Sequence, residues 1–216
     1  MRVMKFGGTS VGDPTRIANL CDIVSHSLQR RPVVVVSAAS KVTDMLLTAA
    51  RHAKDGRVDP SPIESRVTAL LSAFDLDPSL VHREFVGLRE SLEAIAARAE
   101  ATPELLDAVA SYGERISVRS TAAILRKRGV DAVHADAFDL GMLTDANFGS
   151  AEPLLESADL LRAGVAALVE QGKVPVVTGF IGRTLDECFP ALARLWLKDA
   201  YDAALRGETV SLPARE

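Results

Sequence analysis

The chain has 216 residues and a formal net charge of −4, with 48% hydrophobic and 25% charged residues. This composition is typical of a folded globular protein and argues against a disordered chain. The weak negative charge and the 5% aromatic content argue against a nucleic-acid-binding protein, and no apolar run is long enough to cross a membrane.

The two cysteines, Cys21 and Cys188, are far apart and have no Cys-x-x-Cys or histidine pattern around them. Isolated thiols of this kind are typical of a reducing compartment and do not indicate a disulfide framework or a metal site. Gly7 and Gly8 come too early for a secretory leader to precede them. We therefore expect a cytoplasmic protein.

The N-terminal region reads as a strand, a glycine loop, a helix and a second strand. Residues 2–6 are apolar and end at Gly7-Gly8, and Asp13-Pro14 then provides an N-cap and a first-turn proline for a helix. Residues 32–37 form a continuous β-branched run, as expected for a strand that is covered on both faces. This order predicts a βαβ unit with a parallel pair of strands.

The middle of the chain is predicted to be mostly helical. Helices are expected from residue 43 to the break around Gly56, and then at 63–74, 81–99 and 103–127. Strands are expected at 130–135 and 174–181, and helices at 158–170 and 192–205. Strands that alternate with helices predict a parallel sheet in a layered α/β fold.

The glycine loop carries the residue types that bind a phosphate. The amides of Gly7 and Gly8 can point into open space, and Thr9 and Ser10 add hydroxyl donors. Lys5 adds an ammonium group, and the N-terminus of the following helix adds a favourable dipole. A glycine pair alone more often marks a simple turn, but this combination favours a phosphate site. No Walker A or Gly-x-Gly-x-x-Gly motif is present, which excludes a P-loop kinase and a dinucleotide oxidoreductase.

A second group of hydroxyl residues follows the strand at 32–37. Ser37, Ser40 and Thr43 should lie at the same rim as the glycine loop, because ligands of open α/β sheets bind beyond the carboxyl ends of the strands. The alternative is that Ser40 or Thr43 simply caps the next helix. Both interpretations stay open.

Gly113 and Glu114 lie inside the longest predicted helix. A glycine in a helix interior costs about 0.8–1 kcal/mol relative to alanine, which suggests a close approach by another helix or by a ligand. Glu114 is a candidate to orient a substrate ammonium group, and an exposed Glu114–Arg115 pair is the equally weighted alternative. The histidines show no metal-ligand spacing, so no metal site is predicted; they are His26, His52, His82 and His134.

Several segments, taken together, resemble the aspartokinases of the amino-acid kinase superfamily. The match is most specific in the first segment and holds the family's order and spacing from residue 1 to about residue 184. The segments are 5–12 (KFGGTSVG), 34–38 with 43–44 (VVVSA and TD), 111–114 (SYGE), 144–149 (TDANFG) and 174–182 (VPVVTGFIG).

The resemblance implies a three-layer α/β/α sandwich of the amino-acid kinase type, incomplete at its C-terminal end. It implies phosphorylation of the β-carboxylate of L-aspartate by MgATP, so that ATP and Mg²⁺ act as a substrate complex, in the first step toward lysine, threonine and methionine. It is compatible with a homo-oligomer. Non-catalytic aspartate binding and another acyl-phosphate-forming kinase, such as a glutamate kinase, are the alternatives.

The resemblance also implies a role for each matched residue. Lys5, Gly7 and Gly8 would neutralise and hold the phosphoryl group during transfer, and Thr9 would join them in contacting the nucleotide. The residues implied to bind substrate are Thr9, Ser10, Ser37, Thr43 and Glu114.

The resemblance stops after Arg183-Thr184. The family continues there with a glycine-rich Thr-Leu-Gly-Arg-Gly-Gly-Ser-Asp segment, whereas this chain continues with Leu185-Asp-Glu-Cys-Phe-Pro. We expect residues 1–184 to form the aspartate-binding part of a kinase domain and residues 185–216 to form a divergent helix and tail. A truncation or a shift of the reading frame would give this pattern.

Overall fold

The computed structural model describes residues 1–179 and 181–184. The segment predicted to diverge at 185–216, with its helix at 192–205, lies outside the described residues. Among the residues described, no helix is long and apolar enough to cross a membrane.

A parallel sheet lies at the centre of the described fold. The strands are β1 (Arg2–Phe6), β2 (Pro32–Val36), β3 (Ala132–Ala135), β4 (Leu143–Thr144), β5 (Val174–Thr178) and β6 (Arg183–Thr184). The order of the central sheet is β1-β2-β5-β3, and all three neighbouring pairs run parallel. A separate pair of short parallel strands, β4 and β6, joins residues 143–144 to residues 183–184.

The helices begin and end close to where local sequence signals predict. Asp13 caps the first helix by accepting from the Arg16 amide, and Thr102 caps the fifth by accepting from the Leu105 amide. Both helices carry a proline in the first turn. The helices are α1 (Pro14–Ser25), α2 (Val42–Lys54), α3 (Ser61–Ser72), α4 (His82–Arg98), α5 (Pro103–Lys127) and α6 (Ser157–Glu170).

The sheet is covered on both faces, which gives three layers. Val34 and Val36 point into a core shared with α1 and α5, whereas Val33 points to the opposite face, where Val165 and Val169 of α6 pack. Successive valines of β2 point to opposite faces of the sheet, and both faces are covered. A continuous run of valines therefore suits this strand. The predicted α/β class with a parallel sheet is therefore confirmed.

A second core lies among α2, α3, α4 and α5. These helices pack their apolar faces together around Leu46, Leu71, Leu88 and Leu92, all fully buried. Since α5 contributes to both this core and the sheet core, it connects the helical layer to the strands. Residues on α5 are thereby placed at the carboxyl ends of the strands.

Two strands are shorter in the structure than predicted by two residues or more. The strand predicted at 130–135 begins at Ala132, and the strand predicted at 174–181 ends at Thr178. The second difference arises because Gly179 leaves the sheet and donates its amide to a side chain of α5. This early end opens the rim on which the candidate site is built.

Candidate functional site

The glycine loop (residues 7–12) and the β2–α2 loop (residues 37–41) lie against each other at one rim of the sheet. The Ser40 amide donates to the Gly8 carbonyl at 2.9 Å. A Cβ atom at Gly8 would lie 2.5 Å from the carbonyl oxygen of Ala38, so only glycine allows this approach. The prediction that both loops share one rim agrees with this contact.

Gly7 differs from Gly8 in its surroundings. A Cβ atom at Gly7 would meet nothing within 4 Å, and the backbone there is extended, with φ −75°. The loop then forms a 3₁₀ turn over Gly8–Val11, in which Thr9 is exposed and Ser10 is half-buried. The open space beside Gly7 has the character expected of a place where a ligand approaches the backbone.

The N-terminus of α1 contributes less to an anion site than its sequence predicts. The carboxylate of Asp13 occupies the N-cap position and accepts from the Arg16 amide at 3.0 Å. Because a negative charge already complements the helix dipole there, the dipole offers little to a second anion. An anion in this loop would depend on the glycine backbone and on Lys5.

Lys5 lies one residue before the end of β1 and is exposed. It pairs in register with Val35 on the neighbouring strand, and it points to the sheet face opposite that of Met4. The structure therefore places Lys5 on the strand that leads directly into the glycine loop.

The start of α2 is not capped by a hydroxyl. Lys41 occupies the N-cap position in a left-handed conformation, with φ 67°, and no side chain accepts from the first turn of α2. The interpretation of Ser40 or Thr43 as the cap is therefore wrong. Thr43 is exposed in the first turn of α2, and Ser37 is half-buried where β2 ends.

Glu114 is buried, with 6% of its surface exposed, although it carries a carboxylate. Its Oε2 accepts from the Gly179 amide at 2.9 Å, just beyond the end of β5. A Cβ atom at Gly179 would lie 3.5 Å from Glu114 Oε1 and 3.6 Å from Ser37 Oγ. The structure therefore brings Ser37, Glu114 and Gly179 together, and the interpretation of Glu114 as an exposed partner of Arg115 is wrong.

Gly113 supplies the close approach that its position in a helix predicts. A Cβ atom there would lie 2.8 Å from Ala38 Cβ and 3.2 Å from Leu46 Cδ1. The approaching group is thus the β2–α2 loop together with α2, and not a ligand. This packing lets the next residue, Glu114, reach the ends of β2 and β5.

Sequence reasoning missed a cluster of four charged side chains beside this rim, in which the two carboxylates are buried and the two arginines are half-buried. Arg119 donates to both carboxylate oxygens of Asp136 at 2.9 and 2.8 Å, and its Nε lies 2.7 Å from Glu84 Oε1. Arg115 lies 3.7 Å from Asp136 and 3.9 Å from Glu84. The two arginines and two carboxylates balance in charge and connect α4 and α5 to the residue that follows β3. The signal in the sequence is the spacing of Arg115 and Arg119, which are four residues apart and therefore lie on one face of the helix.

The carboxylates of the charge cluster raise the pKa of Arg119. Burial alone would lower the pKa of Arg119, but the hydrogen bonds and charge of Asp136, with the charge of Glu84, outweigh it and raise that pKa. The next amide, that of Ala137, donates to Thr178 Oγ1 at 2.8 Å at the end of β5. The cluster is therefore linked through Thr178 to the strand end that holds Glu114.

The turn at 145–149 is tied to the start of α5. Asp145 Oδ1 accepts from the amides of Asn147 and Glu152, and the Gly149 amide donates to Asp107 Oδ2 at 2.6 Å.

Within the part of the chain that the structure describes, no group of three or more His, Cys, Asp or Glu residues is arranged to hold a metal ion.

The geometry agrees with a match to a known family. The family model described as "Amino acid kinase family" matches residues 1–205. This chain belongs to the amino acid kinase family. The match covers the glycine loop, the β2–α2 loop and Glu114, and the predicted resemblance to aspartokinases is confirmed by the relatives below.

The curated relatives of this amino acid kinase include several plant aspartokinases. The chain is 33% identical over 196 residues to "Aspartokinase 1, chloroplastic" of Arabidopsis thaliana. This match covers 84% of this chain and 33% of that protein. It is 33% identical over 193 residues to "Bifunctional aspartokinase/homoserine dehydrogenase, chloroplastic" of Daucus carota, covering 84% of this chain and 21% of that protein. The chain thus spans a third or less of these relatives' length.

Among solved structures, this amino acid kinase is similar to E. coli aspartokinase III in complex with aspartate and ADP. The TM-score is 0.68 and the identity 29%, over 86% of this chain and 42% of that chain. The boundary predicted at residue 184 stays a prediction, since the family match runs on to residue 205.

Proposed function

We propose that this chain carries the aspartate-binding and phosphoryl-handling side of an aspartokinase site. The reaction is transfer of a phosphoryl group from MgATP to the β-carboxylate of L-aspartate, at the start of lysine, threonine and methionine synthesis. Support comes from the identity to aspartokinases and from the similarity to an aspartokinase in complex with aspartate and ADP. A cytoplasmic location and a homo-oligomer remain predictions.

The observation that carries the proposal is the buried carboxylate of Glu114 at the ends of β2 and β5. The Gly179 amide fixes the direction of this carboxylate, and Ser37 Oγ lies beside it. A fixed, buried carboxylate favours a cationic ligand group over a neutral one, because its charge is poorly solvated by water. The α-ammonium group of aspartate would meet Glu114, and Ser37 and Thr43 would hydrogen bond to its carboxylates.

The phosphoryl group would lie over the glycine loop. The amides of Gly7 and Gly8 would hold its oxygens, Thr9 and Ser10 would add hydroxyl donors, and Lys5 would neutralise the charge that develops during in-line transfer. The open space beside Gly7 fits a phosphate that approaches the backbone. Mg²⁺ would arrive bound to ATP and would neutralise charge on the phosphates.

A coupled assay for ADP release with L-aspartate and MgATP tests the reaction. We expect ADP release that depends on L-aspartate and is not supported by L-glutamate. Lys5→Met should lower the rate by about 100- to 1,000-fold, the usual effect of removing one group that stabilises transition-state charge. The absence of any aspartate-dependent ADP release would contradict the proposed transfer.

A second candidate is aspartate binding without transfer. It is favoured by the sequence after Thr184, where Leu185-Asp-Glu-Cys-Phe-Pro replaces the glycine-rich segment of the family. Calorimetric titration with L-aspartate in the absence of ATP separates the two. Binding without turnover favours this second function, and binding with turnover favours the first.

A further inference from the structure

Arg66 of α3 contacts both loops of the site although it belongs to neither. Its Nη2 donates to the Gly12 carbonyl at 3.2 Å and to the Ser40 carbonyl at 3.1 Å. These partners lie 54 and 26 residues away in the chain, and the guanidinium group is partly buried between them. One nitrogen atom thus bridges the glycine loop and the β2–α2 loop.

The bridge lies where the two loops are already in close contact. The Ser40 amide donates to the Gly8 carbonyl at 2.9 Å, so Ser40 is held through its amide by one loop and through its carbonyl by Arg66. Because the same arginine nitrogen also binds Gly12, any separation of the loops must break at least one of these bonds. Arginine suits this role, since its planar guanidinium group presents several donors in a fixed geometry.

The bridge also restrains a strained backbone position. Lys41, directly after Ser40, has φ 67°, a left-handed conformation that a lysine rarely adopts. Such a conformation persists only where surrounding contacts over-determine it. The Arg66 bond to the Ser40 carbonyl is one such contact, and the Val42 amide bond to the Ala39 carbonyl at 2.9 Å is another.

We propose that Arg66 is a positioning residue that holds the two loops at a fixed separation and couples ligand binding at one loop to order in the other. The inference rests on the proposed function, in which the glycine loop handles the phosphoryl group and the β2–α2 loop carries Ser37 for aspartate. Arg66 acts through the backbone of both loops and does not touch the substrate.

Hydrogen exchange of the whole chain, first without ligand, tests the hold of Arg66 on the loops. Arg66→Met should raise the exchange rates of the Ser40 amide and of the glycine-loop amides by about tenfold or more, whereas Arg66→Lys should have a smaller effect. The matched control is Arg89→Met, because Arg89 of α4 is exposed and lies 3.8 Å from Glu64, which precedes Arg66 by two residues on α3. Equal exchange rates in Arg66→Met and wild type would overturn the proposal.

Exchange in the presence of L-aspartate tests the coupling. We expect aspartate to slow exchange in the glycine loop of the wild type and of Arg89→Met, but not in Arg66→Met under conditions that saturate it with aspartate. If aspartate slows glycine-loop exchange in Arg66→Met as much as in the wild type, the coupling is overturned, because the effect then reaches the glycine loop without Arg66. If Arg66→Met does not fold, Arg66→Lys serves in both measurements. Failure of the wild type to bind aspartate would reject the proposed function and the coupling, while the ligand-free rates would still decide whether Arg66 holds the loops.

Discussion

Gly7 and Gly8 are adjacent, but different physical constraints act on them. Gly8 must be glycine because its neighbour is the backbone of Ala38, whereas a Cβ atom at Gly7 would meet nothing within 4 Å and the extended backbone there is one that any residue can adopt. The sequence predicts a glycine loop here. It cannot separate the two roles, because the contact to Ala38 comes from a distant part of the chain.

Alanine substitutions at these two positions should therefore have different effects on the free energy of unfolding. Gly8→Ala should lower the free energy of unfolding by about 1–3 kcal/mol through overpacking against Ala38. Gly7→Ala should leave it unchanged or raise it by about 0.4–1 kcal/mol, because alanine restricts the unfolded chain. Urea unfolding measures both values.

The same pair of variants tests the use of the open space. Gly7→Ala, although stable, should weaken MgATP binding, because its methyl group occupies the space in which we place the phosphoryl group that is transferred. Equal loss of stability in both variants, or undiminished MgATP binding in Gly7→Ala, would contradict this account of the loop.

The buried thiol of Cys21, on α1, should make the free energy of unfolding depend on pH in the alkaline range. Burial raises the pKa of its thiol from 9.0 to about 11, with a smaller opposing effect of Arg128. The folded state therefore holds the thiol proton more tightly than the unfolded state does. The contribution of this thiol to the free energy of unfolding is fully present below pH 9 and is lost as the pH rises toward 11. The thiol is also fully shielded from solvent.

The difference in unfolding free energy between the wild type and Cys21→Ala should narrow by about 1 kcal/mol between roughly pH 8 and pH 10. Urea unfolding at several pH values gives this difference, and subtraction of the Cys21→Ala values removes the titration of other groups. A difference that stays constant with pH would show that the pKa of the buried thiol is not raised.

At the scale of elements, helix α5 determines where the site lies. Gly113 brings α5 against the β2–α2 loop, and Glu114 can then reach Gly179 at the end of β5. The sequence predicts the bounds of α5, because its cap and its apolar periodicity are local signals. It predicts neither the partner of Gly113 nor the Asp136–Arg119 pair, because these contacts join residues that are far apart in the chain.

Gly113→Ala should destabilise the fold, even though alanine favours a helix by about 0.8–1 kcal/mol over glycine. The added methyl group would lie 2.8 Å from Ala38 Cβ, and overpacking of this kind costs about 1–3 kcal/mol. Ala38→Gly removes the obstructing atom and should restore part of the loss in the double variant. Urea unfolding in a double-mutant cycle measures this coupling. A Gly113→Ala variant more stable than the wild type would show that the approach is looser than described.

At the scale of the whole molecule, β1 has no neighbouring strand on its outer side within the described ranges, and 63% of Val3 is exposed. An exposed edge with an apolar residue favours pairing with another chain.

The layered fold could be predicted from the sequence because strands and helices alternate. The rim of the site could be predicted because it follows the strand ends. The charge cluster and the Arg66 bridge could not, because each depends on how separate elements pack.

We expect the chain to associate as its concentration rises, and Val3→Lys should weaken this association, because a charge on an edge strand opposes pairing. Val86→Lys is the matched control, since Val86 is 41% exposed but lies on α4, away from the sheet. Sedimentation velocity over a wide range of concentration gives the measurement. A wild-type chain that stays monomeric throughout would contradict the expectation.

The most direct test of the central claim is calorimetric titration of the wild type and of Glu114→Gln with L-aspartate. Glutamine preserves the shape and can still accept from the Gly179 amide, so the fold should be retained while the charge is lost. We predict that the wild type binds L-aspartate and that Glu114→Gln binds it about 30- to 160-fold more weakly, which corresponds to roughly 2–3 kcal/mol for a hydrogen bond to a charged group. Equal affinities in the two proteins, or no binding by the wild type, would contradict the assignment of this rim as an aspartate site.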